Sequence, residues 1–237
     1  MKAFLKPGVL FSVILIVAVS CKKEKSQGVN FEYNYFPNTV GKYVIYDVDS
    51  IYCSSFDYKI DTIRYQLKEI IQSIFLDNSG RPTQRIARYI KPYNDSAAWT
   101  LRNVWTANLA TTDAERVENN VRYVKLIFPV VLNSSWNGNA FNTLGSANYN
   151  YTTVDQPKAI GTSYFDSVLT VSQINSATLI SDSLYVEQYA KNVGLVYKEV
   201  IAVNDTSSSI QNLSIPILQR PYQTGILKYT LTVNSHN

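Results

Sequence analysis

Ile226-Leu227-Lys228-Tyr229-Thr230-Leu231-Thr232-Val233 alternates without a fault. Leu227, Tyr229, Leu231 and Val233 fall on one side of an extended chain, and Lys228, Thr230 and Thr232 on the other. This is the two-residue period of a strand with one face in a core and one in water. A slip of one residue would bury Lys228 at a desolvation cost on the order of several kcal/mol, so the register is strongly specified. Near the other end of the chain, Val44, Tyr46, Val48 and Tyr52 share a face interrupted only by Ser50, while Asp47 and Asp49 point away. The expected core therefore includes Val44, Tyr46, Val48, Leu227, Tyr229 and Leu231.

Between these strands the pattern repeats. Ile63, Tyr65 and Leu67 alternate with Arg64, Gln66 and Lys68, and a turn at Asp77-Asn78-Ser79-Gly80 leads to a second run over residues 84–91. That reads as a long hairpin, although Leu67, Ile70, Ile71, Ile74 and Phe75 also fit a helical period. Arg116 to Glu118 and Val121 to Phe128 flank Asn119-Asn120, and asparagine tolerates the positive φ of a tight hairpin turn. Further strands are expected at Phe165 to Ser172 and Leu195 to Val203. Residues 186–192 suit a short helix stopped at Gly194, and the Asn-, Ser- and Gly-rich stretch Asn133 to Tyr151 suits a long loop. With 18 tyrosines and many threonines, the fold class is mainly β. The expected architecture is an antiparallel sheet, curved and barrel-like or a sandwich, with few short helices.

The first residues give an address. Lys2 and Lys6 precede the apolar run Val9 to Val19, broken only by Ser12, and Ala18-Val19-Ser20 lead into Cys21. The run falls short of the roughly 20 residues that a spanning helix needs, and its layout is that of an export signal with a small-residue processing site. It resembles a bacterial lipoprotein signal, in which the cysteine is lipidated and becomes the mature N-terminus, although the usual lipobox leucine is replaced by Ala18. The expected organisation is a signal peptide at 1–20, a tether at 21–29 and a single mainly-β domain at 30–237. Lipidation at Cys21 would tie the protein to the bacterial cell envelope, at the outer membrane.

Charge narrows the function classes. The chain carries 22 basic and 18 acidic residues, yet from Gly28 onward they balance at 17 each. A body without a basic stripe lacks the main requirement for nucleic-acid binding. Cys53 is then left without an intramolecular partner, and the single histidine, His236, lies next to the end of the chain. No catalytic residues, metal ligands or cofactors are expected, because catalysis at neutral pH usually asks for a tunable base beside a nucleophile or metal. Asp47 and Asp49, and Glu115 and Glu118 around Arg116, read as solvated charges on a strand face and at a hairpin end. Trp99 and Trp105 read as core residues. Trp136 lies in a polar stretch, where it must either plug the fold or meet a partner.

Tyr35-Phe36-Pro37 followed by Gly41-Lys42-Tyr43, and Tyr189-Ala190 followed by Val193-Gly194-Leu195-Val196, resemble segments of uncharacterised Bacteroidota-type envelope lipoproteins. That resemblance implies an envelope lipoprotein and carries no catalytic residues with it. Asp-Ser/Thr-apolar triplets occur at Asp49, Asp61, Asp95, Asp166 and Asp182, a pattern similar to the O-glycosylation motif of exported Bacteroidota proteins. Thr62, Ser96, Ser167 and Ser183 are the expected sugar acceptors. Two functions follow as expectations. One is a non-catalytic structural or interaction module that meets an envelope protein or glycan, with Trp136 as a contact. The other is a carrier of a lipid or other apolar ligand in a half-barrel-like cavity. An unfilled apolar interior would separate the second from the first.

Overall fold

The computed structural model describes residues 30–54, 59–205, 214–220 and 225–235. Twelve strands follow in chain order: β1 (Tyr43–Cys53), β2 (Ile60–Leu76), β3 (Pro82–Pro92), β4 (Thr100–Leu109), β5 (Asp113–Glu118), β6 (Val121–Ile127), β7 (Ser135–Asn137), β8 (Asn148–Ile160), β9 (Ser163–Ala177), β10 (Ser181–Ala190), β11 (Gly194–Asn204) and β12 (Ile226–Asn234). They form one antiparallel sheet in the order β6-β5-β4-β3-β2-β1-β12-β11-β10-β9-β8-β7, nearly closed into a barrel. Among the described residues, the only helical pieces are 3-10 turns at Tyr33–Tyr35 and Ile217–Gln219.

The alternating terminal strands lie side by side at the middle of this order. Tyr46 stands opposite Leu231 and Val48 opposite Tyr229. Val44, Tyr46, Val48, Tyr229 and Leu231 are buried, and Leu227 packs against the same cluster. Segment 60–76 is extended throughout. Leu67, Glu69 and Ile71 turn inward while Ile74 and Phe75 stay exposed, so alternation prevails over the competing helical period. Asn119 and Asn120 both adopt positive φ, 50° and 67°, which suits the twist of the β5–β6 hairpin.

Three local expectations change. Residues 186–190 continue β10 in place of a helix, because Glu187 and Tyr189 alternate inward and are held there by polar partners. The supposed loop 133–151 contains β7 and the first residues of β8. Trp99 lies over the outer face of β2 and β3, beside Lys68, Ile70 and Tyr89. A register shift between Arg88 and Tyr89 interrupts the alternation that would have put it with Trp105.

Strands β6 and β7 end the hydrogen-bonded order, and side chains bring them together. Val124 N donates to Gly138 O at 2.9 Å, and Trp136 Nε1 donates to Val124 O at 2.9 Å. The Tyr151 hydroxyl accepts from Ile127 N at 2.9 Å and donates to Ile127 O at 2.8 Å. These contacts satisfy backbone groups that an open edge would leave unpaired. Gly138 has no room for a side chain: a Cβ there would lie 2.3 Å from the Tyr149 ring.

Residues 31–37 cap one end of the barrel. Tyr35 is fully buried, with its hydroxyl 2.8 Å from Asp155 Oδ1 and 2.7 Å from Ser167 Oγ. Tyr33 reaches across to donate to Thr111 O in the β4–β5 turn, and Asn192 N donates to Asn34 O at 2.8 Å in the β10–β11 turn. Gly194 adopts φ +90°, and a Cβ there would come within 3.2 Å of Pro37 Cδ. The two motif segments of the sequence, around Tyr35-Phe36-Pro37 and Val193-Gly194-Leu195, are thus one packed unit.

Candidate functional site

The inside of the barrel is crossed by charge. Glu69 on β2 stands directly opposite Arg88 on β3, and Arg88 Nε donates to Glu69 Oε1 at 2.7 Å. Arg116 on β5 takes the second oxygen of Glu69. Trp105 lies against both guanidiniums, with Arg88 Cζ 3.4 Å and Arg116 Cζ 4.9 Å from its ring centroid. This arrangement favours a cation over the aromatic face. Arg88 also reaches Asn103 Oδ1 and the Tyr229 hydroxyl.

A second cluster adjoins the first. Glu187 on β10 is opposite Lys198 on β11, and Lys125 on β6 reaches across the interior to Glu187 at 2.9 Å and to Glu118 at 2.9 Å. Lys198 lies 3.2 Å from Glu187 and 3.6 Å from Glu118. The Tyr189 hydroxyl donates to the remaining Glu187 oxygen at 2.7 Å. Arg116 Nε, 4.0 Å from Glu118, links the clusters electrostatically.

These groups are held in their charged forms. Burial pushes the Glu69 carboxyl up, but the Arg116 and Arg88 guanidiniums outweigh it and leave the group below its ordinary range. The same contest, decided by Lys125 and Lys198, lowers Glu118 and Glu187. Lys125 is raised: burial opposes its charge, and Glu118 and Glu187 more than restore it. Burial, then the neighbouring carboxylates, raise the Tyr46 and Tyr189 hydroxyls, which stay protonated. A carboxylate clamped between cations on two sides is suited to fixing strands in place. Among the described residues, no group of three or more His, Cys, Asp or Glu could hold a metal ion.

A cavity of about 70 Å³ lies beneath the cap, with Phe36, Val44, Ile71, Ile86 and Leu195 on its apolar side and Glu69, Gln84 and Arg116 on its polar side. Gln84 Nε2 and Arg116 Nε are buried without a hydrogen-bond partner. No known protein family, curated protein or solved structure matches the chain.

The residues singled out from sequence are dispersed. Cys21 and His236 fall outside the described residues. Thr62 on β2 and Ser96 after β3 are exposed, while Ser183 is half-buried within β10, and Ser167 is half-buried and bonded to Tyr35 and Asp155. Trp136 is half-buried in the β6–β7 seam, its ring 4.7 Å from that of Tyr151 and 6.0 Å from that of Tyr149. Asp47 accepts from Gln66 and Asp49 pairs with Arg64 on the outer face. Glu118 does end the β5 side of the hairpin, but neither Glu115 nor Glu118 is a solvated charge. Glu115 is buried between Arg81 and Arg122, and Glu118 belongs to the interior.

Sequence reasoning missed the interior charges because burial of a lone ion is costly and pattern reading sends every charge outward. Position offered a signal. Glu69 stands between Leu67 and Ile71, and Arg88 between Ile86 and Ile90, at inward places of their strands.

Proposed function

We propose that the protein is a non-catalytic module of the bacterial envelope, anchored in the outer membrane by lipid on Cys21, whose barrel is a rigid scaffold for contact with an envelope protein or glycan. The observation that carries this reading is the interior. Seven charged side chains from β2, β3, β5, β6, β10 and β11 fill it with mutual ion pairs, and the cavity under the cap is about 70 Å³. A pocket for a drug-sized ligand takes roughly 300–1,000 Å³ and is mostly apolar, so the carrier of a lipid or apolar ligand fits this interior poorly.

Other features support the address. The leader ends in Cys21 with Lys22, Lys23 and Lys25 behind it, and the barrel begins at the cap that follows this tether. Exposed Thr62 and Ser96 are the sugar acceptors favoured by this reading. Among the described residues no helix is long and apolar enough to cross a membrane. Mass spectrometry of the membrane fraction should find a lipid-modified peptide beginning at Cys21, and Cys21→Ala should move the protein to the soluble fraction. An unmodified Cys21 peptide from native cells would overturn the anchor. Extraction with organic solvent tests the scaffold separately, since release of a stoichiometric lipid from the purified barrel would favour a carrier.

A further inference from the structure

Gln84, Ala107 and Arg116 stand in one cross-strand row on β3, β4 and β5. Ala107 is fully buried and too small to fill the space between its neighbours. The two long side chains flank it and line the same cavity. Each presents an N–H with no hydrogen-bond partner among the described residues, Gln84 Nε2 and Arg116 Nε, the latter no nearer than 4.0 Å to the Glu118 carboxylate, and both residues are more than nine-tenths buried. A buried donor left unsatisfied is costly, and such groups call for an acceptor.

Charge specifies the acceptor further. Among the described interior residues, the cations Arg88, Arg116, Lys125 and Lys198 face the carboxylates Glu69, Glu118 and Glu187. The interior is one negative charge short. The Glu69 oxygens accept from Arg88 and Arg116, and neither makes a hydrogen bond to Gln84 Nε2. Lys42 lines the cavity as well and adds positive potential.

We propose that this cavity is a binding site for a short-chain carboxylate, held between Arg116 Nε and Gln84 Nε2 with its alkyl end against Val44, Ile71 and Leu195. A carboxylate brings two acceptor oxygens, one for each donor, and the missing negative charge. Its small alkyl part matches the apolar wall, which a halide would leave unused. The size agrees: about 70 Å³ is several times the roughly 10–15 Å³ that holds one water, enough for a ligand of a few heavy atoms. This site is independent of the lipid anchor and of the scaffold's partner.

Acetate is the probe. Titrated at pH 7 into the purified protein at constant ionic strength, it should bind saturably and raise the melting temperature more than chloride does at equal concentration. Gln84→Met keeps the side-chain length and removes the donor, and should weaken acetate binding about tenfold, the usual loss for one hydrogen bond to a charged group. Wild-type protein gives a test that needs no variant. Nuclear Overhauser contacts should run from the acetate methyl to the methyls of Val44, Ile71 and Leu195. Equal stabilisation by acetate and chloride, acetate binding untouched by Gln84→Met, or contacts to other methyls would each overturn the assignment.

Discussion

The sheet meets itself in two places, and the two joints are built differently. Between β1 and β12 the backbones pair from Val44 with Asn234 to Ile51 with Ile226, over an apolar interior of Tyr46, Val48 and Leu231. Between β6 and β7 there is one backbone bond, Val124 to Gly138, and the rest is done by the Trp136 indole, the Tyr151 hydroxyl and the Asn142 amide, which donates to Arg122 O. The ion pairs favour the weaker joint. Lys125 on β6 and Glu118 on β5 reach Glu187 and Lys198 on β10 and β11, spanning the interior beside the seam that lacks a ladder. Charge and aromatic hydrogen bonds thus replace backbone pairing where the sheet runs out of register.

The first way to break that comparison is to remove a charge. Glu187→Gln leaves Lys125 and Lys198 short of a carboxylate and should cost about 3–5 kcal/mol, measured by urea unfolding. Amides of β6 and β7 should lose exchange protection before those of β1 and β12. Acid does the same by titration. Because Glu69, Glu118 and Glu187 have lowered values, their stabilisation is complete above the ordinary carboxylate range and lost as pH falls through the lowered folded values. Stability should therefore decline below about pH 4.5, and a flat profile down to pH 2 would count against the network.

At the laddered joint, Leu231→Ala should cost about 3 kcal/mol by opening a cavity, with protection falling across the whole barrel. Trp136→Ala, at a half-buried site, should cost about 2 kcal/mol and expose the β6–β7 seam selectively, seen by exchange at Val124 and Gly138. Unchanged stability with weakened capture of an envelope glycan or protein would instead make Trp136 a contact residue. The smallest effect belongs to Tyr151→Phe, about 1 kcal/mol, from the loss of its two bonds to the Ile127 backbone.

The two joints were unequally legible. The β1–β12 joint can be read from Leu227, Tyr229 and Leu231 because an apolar face needs no particular partner to be buried. The β6–β7 joint depends on an indole, a hydroxyl and an amide finding backbone groups farther along the chain, which no local pattern encodes. Glu69, Arg88, Glu118 and Glu187 were hidden for a related reason: each is unfavourable inside alone and tolerable only with partners on other strands. Gly194 suits a helix stop by local pattern, while its φ of +90° and its closeness to Pro37 serve the cap. The unpartnered donors of Gln84 and Arg116 are visible only once β3, β4 and β5 lie side by side.

The pairing of β1 with β12 has a consequence for how the protein comes into being. The strand that begins the barrel waits for the strand that finishes it, and the cap at residues 31–37 waits for the turn at 191–193. A chain made from its N-terminus emerges gradually, so its first strand has no permanent neighbour on one flank until residues 226–234 arrive. Closure is then a single late event of long sequence separation, which favours slow folding. Until it occurs, Tyr46 and Val48 depend on holding factors or on a transient collapse to stay out of water.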